Sequence, residues 1–93
     1  PLRLDPSDTR PLPVQIAAAL RAQVAAGVLL PGERVPSTRH LASQLSVSRG
    51  SVVTAYEQLT AEGYLTAEVG SGTVINPRLP HARIHNLNPR RTS

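Results

Sequence analysis

Two helix-start signals lie so close together in this chain that only a tight turn fits between the helices they open. Ser37 follows Pro36 and opens Thr38-Arg39-His40-Leu41-Ala42; Ser48 opens Arg49-Gly50-Ser51-Val52. A serine hydroxyl accepts an N–H from the first turn of a helix, which makes serine a preferred N-cap. Leu41, Ala42 and Leu45 give the first helix an apolar face, and only Ser46 and Val47 are left to join it to the second. A short helix, a minimal link and a second helix make a helix-turn-helix.

The second helix is expected over residues 49–62. Val52, Ala55, Tyr56 and Leu59 recur at i, i+3, i+4 and i+7 on one side, with Gly50, Thr54, Glu57 and Ala61 opposite. Gly63 closes it. Upstream, Pro11 and Pro13 open another helix, since proline is tolerated in a first turn. Ile16, Leu20 and Val24 carry its apolar stripe to Gly27, and Pro31-Gly32 marks a turn. Beyond Gly63 the period falls to two. Leu65, Ala67 and Val69 alternate with Thr66 and Glu68, Gly70-Ser71-Gly72 forms a hairpin turn, and Thr73-Val74-Ile75 returns.

These elements predict an α+β, mainly α fold: a winged helix-turn-helix of three helices followed by a β-hairpin wing. Residues 1–10 have no period and are expected to be an N-terminal arm. Residues 11–76 form the domain, and 77–93, rich in proline and arginine, a basic linker or disordered tail. With aliphatic residues and two Tyr as its only large apolar groups, the core should be thin.

Charge enters through its placement. The net charge is +4, and every basic residue apart from histidine is arginine. Residues 1–75 hold six arginines and all six acids, which cancel; Arg78, Arg83, Arg90 and Arg91 of the tail carry the whole excess. Between Glu33 and Glu57, however, Arg34, Arg39, His40 and Arg49 stand without a carboxylate. A neutral domain can thus present one basic face.

That face coincides with the two helix starts. The second helix of a helix-turn-helix enters the major groove, and its N-terminal residues meet base edges. Here these are Ser48, Arg49, Gly50 and Ser51, with Thr54 one turn on. Arg49 can donate to guanine O6 and N7 together. Ser48 and Ser51 can bond phosphate or base, and Gly50 leaves room for close approach. An arginine in a first turn opposes the helix dipole, which argues for an external anion. Arg39 and Ser37 open the shorter helix in the same way, with an Arg39–Glu33 ion pair as the alternative, and Arg34 is a further candidate. Glu57 on the outward face would repel phosphate, so contact should be limited to the first two turns. Gly70, Ser71 and Gly72 of the wing could reach the minor groove or phosphates.

Other chemistries have little to stand on. The chain has no Cys and no Lys, hence no disulfide, thiolate metal site, cysteine nucleophile or Schiff-base residue. His81 and His85 are spaced for two ligands on a helix face, but they sit in a proline-flanked tail with no third ligand nearby. No phosphate-binding loop or nucleophile elbow occurs, so no enzyme activity, metal or cofactor is expected in this chain. No apolar run is long enough to span a membrane. Tyr56 and Tyr64 read as core residues rather than as a stacking platform.

The runs Leu30-Pro31-Gly32-Glu33-Arg34-Val35-Pro36-Ser37-Thr38-Arg39-His40-Leu41-Ala42 and Val47-Ser48-Arg49-Gly50-Ser51-Val52-Val53 resemble the signature of GntR-type winged-helix regulators. Ala55-Tyr56-Glu57-Gln58-Leu59-Thr60-Ala61-Glu62-Gly63-Tyr64-Leu65, followed by Gly70-Ser71-Gly72-Thr73, is similar to the MocR subgroup. The resemblance covers about residues 11–75. It implies a bacterial, cytoplasmic transcription regulator that binds double-stranded operator DNA as a homodimer. Arg39 and Arg49 would contact DNA, with Gly70 in the minor groove. It also implies an effector domain carrying pyridoxal phosphate beyond the linker, so the chain reads as an N-terminal fragment. Two departures stand out: Ser46 where the turn commonly has glycine, and Gly50 where a larger polar residue is usual. The alternatives are another GntR subgroup, or a winged-helix module that binds protein.

Overall fold

Three helices that end in the same way set the frame of the molecule. The computed structural model describes residues 2–79 except 69 and 71. Helix α1 spans Leu12–Ala25, α2 Thr38–Leu45 and α3 Arg49–Ala61. At the end of α1, Val28 N–H reaches Gln23 O at 2.9 Å and Gly27 N–H reaches Val24 O at 3.1 Å. At the end of α3, Tyr64 N–H reaches Leu59 O at 2.9 Å and Gly63 N–H reaches Thr60 O at 3.1 Å. At the end of α2, Val47 N–H reaches Ala42 O at 3.0 Å and Ser46 N–H reaches Ser43 O at 3.3 Å. Each is a Schellman closure, which needs one residue in the left-handed region. Gly27 and Gly63 supply it at φ 78° and 86°; on α2 it is Ser46, at φ 57° and ψ 44°.

The helix starts follow the serine signals. Ser37 Oγ accepts His40 N–H at 3.1 Å, and Ser48 Oγ accepts Ser51 N–H at 3.2 Å. Pro11 precedes α1 without a side-chain cap, and Pro13 lies in its first turn.

Helix α3 is central, packing on α1, α2 and the first strand. Its Val52, Ala55, Tyr56 and Leu59 are buried against Ile16, Ala17 and Leu20 of α1 and Leu41 and Ala42 of α2. Gly50, Thr54, Glu57 and Ala61 are exposed, as the helical period predicts.

Strands β1 (Leu65–Glu68) and β2 (Gly72–Ile75) pair antiparallel, with Leu65 opposite Ile75 and Glu68 opposite Gly72. Leu65 and Ile75 both enter the core. The expected inward alternation stops there. Ala67 is exposed, because the hairpin leaves the helical layer after its first residue pair. Val69 lies outside the described residues.

The structure adds a partner for β2. Val35 N–H donates to Thr73 O at 3.0 Å, Ile75 N–H to Glu33 O at 2.7 Å and Gly32 N–H to Ile75 O at 2.7 Å, so Arg34 bridges Val74. The segment before α2 thereby covers the free edge of β2. Neighbouring Val74 and Ile75, on opposite faces, are both buried, and Ile75 is the one that joins the core.

Residues 2–10 are more than an arm. Leu2 and Leu4 pack on the core. The buried Gln15 amide donates to Asp8 O at 3.1 Å and Arg10 O at 2.6 Å, as a buried amide must find partners. Asp5 accepts from Ser7, and Asp8 pairs with Arg10 at 2.7 Å. After the hairpin, Asn76 Nδ2 donates to Gly63 O at 2.9 Å, Asn76 Oδ1 accepts Arg78 N–H at 2.9 Å, and Leu79 packs on the core. The rest of the basic tail, with His81 and His85, lies outside the described residues.

Candidate nucleic-acid interface

The N-termini of α2 and α3 meet. Arg49, the first residue of α3, donates from Nε to Oγ1 of Thr38, the first residue of α2, at 3.3 Å. Ser37, Arg39, Ser48, Arg49 and Gly50 are all exposed around this junction, and Ser51 is half-buried. Neither helix has an acid in its first turn, so the free N–H groups there are uncompensated.

Individual side chains are more constrained than their exposure suggests. Ser48 and Ser51 share a hydroxyl–hydroxyl bond of 2.9 Å while Ser48 also caps the helix. One of their two hydroxyl protons therefore remains for an outside acceptor. Glu33 accepts Leu30 N–H at 2.9 Å and makes no ion pair with Arg39. Among the described residues Arg39 and Arg49 have no carboxylate partner; the two ion pairs are Arg10–Asp8 and Arg21–Glu62, at 2.7 and 2.8 Å. Among the described residues nothing lies within 4 Å of where a Gly50 Cβ would stand, so their packing does not demand glycine there.

Tyr56 fixes the approach to α2. Its hydroxyl donates to Pro36 O at 2.7 Å, one residue before the Ser37 cap, and burial pushes its pKa up to about 12. It belongs to the core, as expected.

The wing tip turns through Gly70 and Gly72, at φ 82° and 76°, a region glycine enters without a Cβ penalty. Ser71 lies outside the described residues. Arg34 is exposed, and its Nε is 3.9 Å from the position a Gly72 Cβ would take, so this side chain runs along the wing. Glu57, with Thr38, Val53, Thr60 and Thr73, lines the groove between α3 and the wing. This acid follows the exposed first turns and bounds an anion surface on that side.

At the other end of α3, Glu62 accepts from Gln58 at 2.6 Å and from Arg21 at 2.8 Å. The Gln58 hydrogen bond first, then the Arg21 charge, hold its carboxyl below the usual range. No helix among the described residues is long and apolar enough to cross a membrane.

A three-helix domain with a capped helix-turn-helix, an exposed second-helix N-terminus and a hairpin behind it is a winged helix-turn-helix. Within that class the chain belongs to the family of bacterial regulatory proteins named for gntR, whose family model matches residues 12–75. It is 53% identical over 79 residues to the HTH-type pyridoxine biosynthesis transcriptional regulator PdxR of Corynebacterium glutamicum, covering 85% of this chain and 17% of that protein. It is 43% identical over 81 residues to the probable rhizopine catabolism regulatory protein MocR of Rhizobium meliloti, covering 87% and 16%. The chain thus spans about a sixth of the length of these relatives. Among solved structures, YtrA from Sulfolobus acidocaldarius, a GntR-family transcription factor, aligns with a TM-score of 0.76 at 29% identity, over 92% of this chain and 90% of that one. The DNA-binding domain of AraR in complex with operator ORX1 aligns with a TM-score of 0.67 at 26% identity, over 80% and 92%.

Thr38 was not legible as a site residue. Its side chain matters through a contact with Arg49 that only the packing of α2 on α3 creates.

Proposed function

We propose that this domain binds double-stranded operator DNA sequence-specifically, as part of a bacterial transcription regulator, and carries no catalytic step. The first two turns of α3 lie in the major groove. The wing, residues 70–73 with Arg34 alongside, follows the neighbouring minor groove. The observation that carries the reading is the junction of two serine-capped helix N-termini with exposed, carboxylate-free Arg39 and Arg49. Phosphate suits the N–H groups and Arg39; a guanine edge suits Arg49. Ser37, Ser48, Ser51 and Thr54 supply further polar contacts, and Gly50, Gly70 and Gly72 let the backbone approach.

One such unit makes few contacts, so useful affinity requires two copies, read as two half-sites about 34 Å apart. Dimerisation, and pyridoxal phosphate as effector chemistry, are assigned to the remaining length seen in the relatives. With no Lys, this chain has no residue to hold that cofactor covalently.

Fluorescence anisotropy on duplexes selected from a randomised library, at two salt concentrations, tests the reading. Binding should weaken steeply with salt. Arg49→Ala should cost about 1–3 kcal/mol on the selected duplex and relax preference at one base pair. Equal losses on selected and random duplex would reassign Arg49 to phosphate. Binding that does not weaken with salt, or no binding even by two copies joined through a linker, would favour a protein-binding module.

A further inference from the structure

Arg49 is the residue placed to read a base, and an arginine reads guanine only when its fork is held in the right plane. Its side chain is long and flexible, and fixing it costs rotamer entropy. A guanidinium can offer two parallel donors side-on, from Nε and one Nη, or end-on, from both Nη atoms. In this structure Nε already donates to Thr38 Oγ1 at 3.3 Å. The end-on pair is what remains for an outside acceptor.

We propose that Thr38 is a positioning residue for base readout: from α2, it holds Arg49 so that the guanidinium presents its two Nη groups end-on to a guanine. The proposal rests on the DNA-binding reading above. Three observations carry it beyond the distance alone. Thr38 is itself held: it is half-buried, is the first residue after the Ser37 cap, and follows the Pro36 carbonyl that Tyr56 grips at 2.7 Å. Its position at the start of α2 fixes where the Cβ stands, so a hydroxyl on that carbon lies within reach of Arg49 Nε. And the anchor is neutral. A carboxylate in the same place would orient Arg49 equally well but would cancel the charge that draws it to DNA, and among the described residues no carboxylate pairs with Arg49. Thr38 thus sharpens specificity without itself needing to reach a base.

The test is a double-mutant cycle on the whole 93-residue chain, read by anisotropy. The probes are a fluorescein-labelled duplex selected by the wild type from a randomised library, its single-base-pair variants, and random duplex. Thr38→Val keeps the shape and removes the acceptor; Thr38→Ser keeps the hydroxyl. Thr38→Val should bind the selected duplex about three- to tenfold more weakly, the range expected for one lost hydrogen bond. It should also flatten the preference at the base pair that Arg49→Ala relaxes, and leave random-duplex binding unchanged. Thr38→Ser should stay close to wild type. In an Arg49→Ala background, Thr38→Val should have no further effect. Should Thr38→Val fail to fold by thermal melting, Thr38→Ala carries the same test. The proposal is overturned if the variant binds like wild type, if the loss persists without Arg49, or if selected and random duplex lose affinity equally. If Arg49→Ala itself shows no selective loss, the base-reading role of Arg49 fails first and Thr38 falls with it.

Discussion

Replacing Ser46 by glycine should stabilise this domain, and the size of the gain follows from the closure of α2. Ser46 occupies the left-handed position of a Schellman motif at φ 57° and ψ 44°. The corresponding positions after α1 and α3 are Gly27 and Gly63. An L-residue there suffers a Cβ–carbonyl clash of about 1–2 kcal/mol. Glycine removes the clash but loses about 0.5–1 kcal/mol more backbone entropy on folding. The net expectation is a stabilisation of about 0.5–1 kcal/mol. Ser46 is exposed and its hydroxyl makes no hydrogen bond among the described residues, so little is lost with the side chain. For a domain of this size that amounts to roughly 2–8 °C in melting temperature. Differential scanning calorimetry of Ser46→Gly, with Ser46→Ala as the control that keeps the Cβ, measures it. The reciprocal change, Gly63→Ala, should lower the melting temperature, because φ is 86° there and nothing lies within 4 Å of the added Cβ, so the effect is purely conformational. A Ser46→Gly protein that melts at or below wild type would refute the reasoning.

Two further outcomes follow from other parts of the structure. Ending the chain after Leu79 keeps the Asn76 latch and removes Arg83, Arg90 and Arg91; the salt slope of DNA binding should fall by about 0.9 for each tail arginine that touches phosphate, and an unchanged slope would show that the tail stays off the DNA. Tyr56, whose pKa burial raises to about 12 from an ordinary 10, keeps its proton in the folded state after the unfolded chain has lost it. Stability should therefore hold up to about pH 10 and decline from there towards 12. With no Lys or Cys, tyrosine is the one side-chain type whose ordinary pKa lies at the start of that window. Tyr56→Phe should flatten this decline and, through the lost bond to Pro36, cost about 1 kcal/mol at neutral pH; an alkaline limb that persists in Tyr56→Phe would remove Tyr56 as its cause.

What the sequence makes legible here is mostly local. Serine caps, glycine closures and the buried face of α3 are each decided within a turn or two of helix, and they appear at the residues that signal them. What it hides depends on tertiary contact. Residues 33–35 have no strand period, yet they pair with β2 because an exposed strand edge offers unsatisfied N–H and C=O groups to whatever passes beside it. Gln15 looks like a surface residue on α1 until the carbonyls of Asp8 and Arg10 fold over it. Ala67 keeps the alternation of a half-buried strand, but no layer lies beneath it to bury it. The Arg49–Thr38 bond belongs to this second class.

Charge shows the same division, and it bears directly on the site. By composition residues 1–75 are neutral, which gives no reason to expect an anion surface. Folding separates what composition averages. Arg10 and Arg21 are consumed by Asp8 and Glu62. Glu62 caps the far end of α3, a helix of 13 residues, so this neutralised pair stands about 20 Å from Arg49 at 1.5 Å per residue. The charges at the two ends of α3 are placed against its dipole, Arg49 at the N-terminus and Glu62 at the C-terminal cap. The acid is compensated within the molecule by Arg21 and Gln58. Among the described residues the cation has only a neutral hydroxyl as hydrogen-bond partner. A helix that resolves one unfavourable end internally and leaves the other open suits a partner that supplies the missing negative charge, which is what the proposed seating in the major groove provides.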